Sequence, residues 1–127
     1  MRTVTLPVLL ISIFLAACAS GNSAEVAGTY ELVTVDGNPV PYTPSHEGGA
    51  PEVLSSTLIL NTDGTFQMTM TYATSPGNSI SRDFSGSYSL EGDNLQFEWE
   101  GAGTTPGTLN GDTLTFTNEG VVFAYSK

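Results

Sequence analysis

The sequence predicts an all-β protein, an antiparallel up-and-down meander closed into a roughly eight-stranded barrel. Three observations carry that expectation. Apolar and polar residues alternate with period two in stretch after stretch beyond Cys18, and no helical period persists over about ten residues there. Short turns rich in Gly, Asn and Asp separate these stretches. An open meander of this length would leave two unpaired edges, so closure is favoured. A flattened barrel or a sandwich is the alternative.

Each element follows from its own residues. Ala27–Val35 (AGTYELVTV) is the first strand. Val53–Asn61 and Thr65–Thr74 are the second and third, joined by Asn61-Thr62-Asp63-Gly64, where Gly supplies a positive φ. Ile80–Leu90 and Asn94–Glu100 follow, joined at Glu91-Gly92-Asp93. Thr105–Asn110 and Thr113–Thr117 turn at Gly111-Asp112, and Val121–Ser126 closes the series. GDNLQF at Gly92–Phe97 and GDTLTF at Gly111–Phe116 repeat one turn-then-strand pattern. Strand parity then assigns an interior. It holds Tyr30 and Leu32; Leu58 and Leu60; Phe66, Met68, Met70 and Tyr72; Phe84, Tyr88 and Leu90; Leu95, Phe97 and Trp99; Leu114 and Phe116; Phe123 and Tyr125.

Composition excludes several function classes. Three Lys+Arg stand against 13 Asp+Glu, for a net charge of −10. Nucleic acid is not an expected partner, because little here neutralises phosphate. The folded part has no polybasic patch for an anionic membrane, whereas a basic partner would suit it. One cysteine and one histidine give neither an internal disulfide nor a zinc site, and no cofactor is expected.

The first residues carry an address. Met1-Arg2 is a short positive start, Thr3–Leu15 is nearly all apolar, and Ala16-Ala17 is small. This is the pattern of a secretion signal. As a helix, Leu6–Ala17 would rise about 18 Å, against about 30 Å of bilayer hydrocarbon, so it is too short to span. Leu15-Ala16-Ala17-Cys18 resembles a bacterial lipobox. That resemblance implies diacylglycerol on the Cys18 thiol, cleavage before Cys18 and acylation of the new amino group. An ordinary signal peptide is the alternative. Ala19, rather than Asp, follows the cysteine, which in Gram-negative lipoproteins implies outer-membrane sorting, facing the periplasm or the cell surface. The expected organisation is a signal peptide at 1–17, a lipidated Cys18 and flexible tether at 18–26, and a barrel domain at 27–127.

Over Ala27–Lys127 the chain resembles the small lipocalin-like domains of bacterial secreted lipoproteins. Gly28-Thr29-Tyr30, Leu58-Ile59-Leu60-Asn61-Thr62-Asp63-Gly64-Thr65-Phe66, Gly86-Ser87-Tyr88 and Phe123-Ala124-Tyr125 carry the likeness. Tyr30 stands where larger lipocalins have the Trp of an opening Gly-x-Trp. The resemblance implies a lipocalin-like barrel and carriage of a small apolar or amphipathic ligand.

Candidate site residues follow. Arg82 shares parity with Phe84 and Tyr88, so it is a candidate anchor for an anionic head group at the rim; the alternative is surface pairing with carboxylates. Asp36-Gly37-Asn38 reads as a turn, and Gly37–Glu52, whose four prolines disfavour helix and ladder pairing, lies where lipocalins carry a lid, with Tyr42 and His46 as its contact residues; a plain crossover is the alternative. Tyr72 and Trp99 complete the ligand-binding candidates. Glu98 and Glu100 lie opposite Phe97 and Trp99 in parity, so they are expected outside, and not as a glycosidase pair. No nucleophile–base constellation appears, and no enzyme is expected. The expected function is a membrane-anchored lipoprotein binding a small apolar or amphipathic ligand. The alternative is a periplasmic interaction or inhibitor protein with a filled core and a basic protein partner.

Overall fold

The alternation in the sequence becomes the two faces of one curved sheet. A computed structural model describes residues 26–44 and 51–127. Its strands are β1 (Gly28–Val35), β2 (Asn38–Pro39), β3 (Val53–Leu60), β4 (Thr65–Ser75), β5 (Asn78–Glu91), β6 (Asn94–Trp99), β7 (Gly103–Asn110), β8 (Thr113–Asn118) and β9 (Val121–Ser126). From β3 to β9 each strand pairs antiparallel with the next, and β1 pairs with both β3 and β9. Those last pairings close an eight-stranded antiparallel barrel, with β2 as an extra strand.

Closure depends on how β1 is shared. Gly28 to Glu31 pair with Leu60 to Thr57 of β3. Glu31 to Val35 pair with Ser126 to Phe123 of β9, with a register shift between Leu32 and Thr34. The bulge re-aims the strand. Tyr30 and Leu32 point inward before it, and Val35 rather than Thr34 is buried after it. Where β1 leaves β3, Tyr42 takes its place, exchanging two backbone hydrogen bonds with Val53 at 3.0 and 2.8 Å.

The turn expected at Asn61-Thr62-Asp63-Gly64 forms, with Gly64 at φ 90°. The Asp63 carboxylate accepts from the Thr65 backbone N–H (3.0 Å) and hydroxyl (2.6 Å), which holds its acidity stronger than usual. The segment after β1 corrects one expectation. It contains the expected turn, with Asp36 and Gly37 both at positive φ. Yet that turn leads into a ladder, Val35 opposite Asn38 and Thr34 opposite Pro39. Proline does not prevent this, because β2 is an edge strand and one side of it needs no donor.

The two ends of the barrel differ. At one end lie the start of β1 and the end of β9; the interior there is packed solid by Tyr30, Leu60, Leu95, Leu114 and Tyr125, all fully buried. Here the Tyr30 hydroxyl donates to the Val26 carbonyl at 2.7 Å. We call this the closed end. At the other, the mouth, β1, β4, β6 and β8 end and β3, β5, β7 and β9 begin. Phe84, expected in the inward row, is 38% exposed there. Its parity is as expected, but β5 extends beyond the wall that would cover it. Leu90, Tyr72 and Trp99 are half-buried rather than buried.

That overhang begins at one residue. β5 pairs with β4 from Asn78 to Ser87, but with β6 only from Gly86 onward. Gly86 faces Trp99, and a Cβ there would collide with the Glu98 carbonyl and press the Phe66 ring at 3.2 Å. Gly86→Ala is therefore expected to destabilise the protein by about 1–3 kcal/mol, as overpacking of tight interiors does. Urea unfolding checks it; a midpoint equal to that of the unaltered protein would contradict this packing.

Candidate functional site

Above the packed half, the interior opens into a cavity of about 370 Å3. Its floor and inner wall carry Met68 and Met70 from β4, Phe84 from β5, Trp99 from β6, Phe116 from β8 and Phe123 from β9. All are inward positions of their strands near the mouth. Tyr72, Asn118 and Glu119 complete the lining, with Asp83, Ser85, Glu100 and Ala102 on the side where β5 outruns β6.

Trp99 organises this wall. Its indole N–H donates to Thr105 Oγ1 at 2.7 Å, which fixes the ring. Phe66 (5.1 Å, 74°) and Phe84 (6.0 Å, 84°) meet it edge to face, and Phe97 and Phe116 lie within 6.2 Å. Such ring pairs contribute about 0.5–1.5 kcal/mol each beyond burial. Phe116 stacks in turn on Phe123 (5.2 Å) and Tyr125 (5.8 Å). The cavity wall is thus one continuous aromatic cluster.

Under the floor lies a buried polar group. Tyr125 Oη and Ser56 Oγ share a 2.7 Å hydrogen bond, and Tyr125 Oη donates to Met68 Sδ at 3.8 Å. Burial pushes the Tyr125 phenol pKa far above its ordinary value. Tyr30 is raised chiefly by burial. Tyr72 is raised by burial too; Arg82 opposes that shift and Glu119 adds to it. Both charges thus act on the Tyr72 hydroxyl at the mouth.

The structure brings together two of the four ligand-binding candidates. Tyr72 and Trp99 line the cavity. Arg82 does not line it; it is exposed, directly opposite Met70 and on the same face. Tyr42 is half-buried against the core and serves the β1–β3 seam, away from the cavity lining. Cys18 and His46 lie outside the described residues, as do the signal and all of the tether but Val26, which is buried in the core. Glu98 and Glu100 accept from the Ser87 and Ser85 hydroxyls at 3.3 and 3.1 Å; Glu98 stands on the outer wall, whereas Glu100 also borders the cavity at the β5 edge. Among the described residues no group of three or more His, Cys, Asp or Glu is placed to hold a metal. Sequence reasoning placed Met68, Met70, Phe84, Phe116 and Phe123 in the interior without naming them as ligand contacts. Their inward parity was visible, but their nearness to the mouth depends on strand stagger, which alternation does not encode.

A closed antiparallel barrel, packed at one end and hollow at the other, defines a β-barrel of the internal-pocket class. A family model described as a lipocalin-like domain matches residues 26–122, and the chain belongs to that family. Such a barrel is consistent with ligand binding. No curated protein and no solved structure matches the chain.

The buried phenols give a pH dependence. A phenol whose acidity is weakened in the folded state stabilises the fold fully below its unfolded value of 10.0. That contribution is lost as pH rises past 10.0 toward the folded value. Stability is expected to fall steeply above that pH. Tyr125→Phe is expected to flatten the fall while costing about 1–3 kcal/mol at neutral pH, since Ser56 loses its partner. Urea midpoints measured from neutral to strongly alkaline pH check both parts.

Proposed function

We propose that this chain is a lipid-anchored binding protein that holds a small apolar or amphipathic molecule in the mouth cavity. One observation carries the reading: an aromatic and methionine-lined hollow of about 370 Å3 inside a barrel whose other half is packed. An eight-stranded barrel is wide enough for its own side chains or one small ligand. Here the two uses divide the barrel along its axis. Apolar walls favour the ligand's body, and Arg82 and Tyr72 at the opening suit a polar head. The reading is of a binder: rings and thioethers form the inner lining, and the polar side chains Asp83, Ser85 and Glu100 border it at the β5 edge.

The anchor fits this geometry. Val26 and the start of β1 lie at the closed end, opposite the mouth. A tether to an acylated Cys18 on the outer membrane would point the cavity away from the lipid. Acyl chains bury methylenes at about 0.8 kcal/mol each, so anchoring needs no contact from the barrel itself.

Trp99 is the chain's single tryptophan, so its emission reports the cavity alone. Titration with the neutral fluorophore N-phenyl-1-naphthylamine is expected to quench Trp99 emission saturably at one dye per chain. Saturable dye binding with unchanged Trp99 emission would place the ligand elsewhere. The anchor is tested separately: cells grown with a clickable palmitate analogue are expected to label the protein, and Cys18→Ser to abolish the label. Label persisting on that variant would remove the anchor and leave the cavity reading intact.

A further inference from the structure

β5 runs past the barrel wall as an edge strand. Among the described residues no strand pairs with it on its β6 side upstream of Gly86. Two hydrogen bonds establish which backbone groups face that side. The Tyr88 N–H points toward β4, donating to the Gly64 carbonyl at 2.8 Å, and the Ser85 carbonyl points the other way, accepting from the Glu100 N–H at 3.0 Å. Pairing with β4 continues without a register break from Ser87 back to Ser79. By strand alternation, Ser79, Ser81 and Asp83 therefore turn both N–H and C=O toward the open side.

The side chains of the same stretch divide by face. Ile80 and Phe84 lie on the cavity face and are 43% and 38% exposed, two of the four large hydrophobic side chains so exposed among the described residues. On the outer face, Asp83 accepts from Thr69 at 2.9 Å, and Glu100 lies beside Ser85. The edge thus offers a ladder, a cavity face on which exposed Arg82 sits between Ile80 and Phe84, and an acidic outer face.

We propose that Ser79–Ser85 is a docking strand for an extended basic segment of a partner polypeptide, which adds to the sheet at this edge. The incoming strand would set apolar side chains against Ile80 and Phe84, and Lys or Arg on the alternate face against Asp83 and Glu100. Charge selects a basic partner over a second copy of this chain. With a net charge of −10, two copies joined here would bring two acidic edges together.

The probe is a short acetylated peptide alternating Lys and Val, with hydrogen exchange and fluorescence anisotropy as readouts. Bound peptide is expected to slow exchange of the Ser79, Ser81 and Asp83 amides, with no such change for a Glu/Val peptide. Ser81→Pro removes one open-side donor and leaves the β4 ladder intact, because the Ser81 N–H faces away from β4. It is expected to weaken binding about tenfold or more while Trp99 quenching by the dye is retained. The Lys/Val peptide N-methylated at alternate amides tests the ladder without altering the protein, and one of its two N-methylation registers is expected to lose binding equally. Unchanged exchange at saturating peptide, or full-strength binding by Ser81→Pro or by both methylated peptides, would overturn the proposal. So would a sedimenting dimer that Ser81→Pro abolishes, which would assign the edge to a second copy.

Discussion

The pairing of Gly86 with Trp99 decides where the barrel stops being a barrel. Below it, β5 and β6 are laddered and the interior is packed. Above it, β6 has ended at Trp99 and the chain turns toward β7 at Gly103, while β5 continues back to Asn78. Strands of 14 and six residues cannot stay paired along their whole lengths. Their mismatch produces the hollow, the exposed Phe84 and the open edge. Gly86 is required at the junction because the β6 backbone approaches so closely that no side chain fits. The Trp99 ring then covers the end of the seam and forms the cavity wall.

The packed half keeps a polar group where an apolar one would be simpler. Tyr125 fills volume with its ring and spends its hydroxyl on Ser56 and Met68. A satisfied buried hydroxyl adds little net stability, whereas an unsatisfied one is expensive. Ser56 on β3 and Tyr125 on β9 must therefore stay in register, and β1 separates those strands in the sheet. The bond ties the wall together across the interior, just beneath the cavity floor.

Much of this architecture was legible in the residues. Alternation in β3, β4, β6 and β9 placed the inward rows correctly, because antiparallel strands with one wet face leave a clean period of two. The bulge in β1 was not legible, since Thr34 and Val35 both suit a strand and only the sharing of β1 between β3 and β9 selects Val35 for burial. β2 was hidden by Pro39, whose residue type argues against a ladder although an edge position permits it. The site was half legible. Tyr72 and Trp99 were found as bulky inward residues, but Phe84 and Phe123 carried no mark beyond their inward parity. Whether an inward ring meets another ring or a void depends on the stagger between strands, and no single strand records that.

The outer wall explains a composition that is acidic yet poor in bases. Its carboxylates are matched to hydroxyls across the strands: Thr57 to Glu31, Thr69 to Asp83, Ser85 to Glu100 and Ser87 to Glu98. Each pairing orders the surface without neutralising its charge, which is why Ser and Thr stand where Lys or Arg would otherwise pair. The retained charge acts on the edge of β5. An open ladder beside two exposed hydrophobic residues is a hazard for edge-to-edge aggregation. A chain of net charge −10 opposes its own approach at that edge while attracting a basic strand. The scarcity of cations thus guards against self-pairing and, by the same electrostatics, determines which partners can reach the edge.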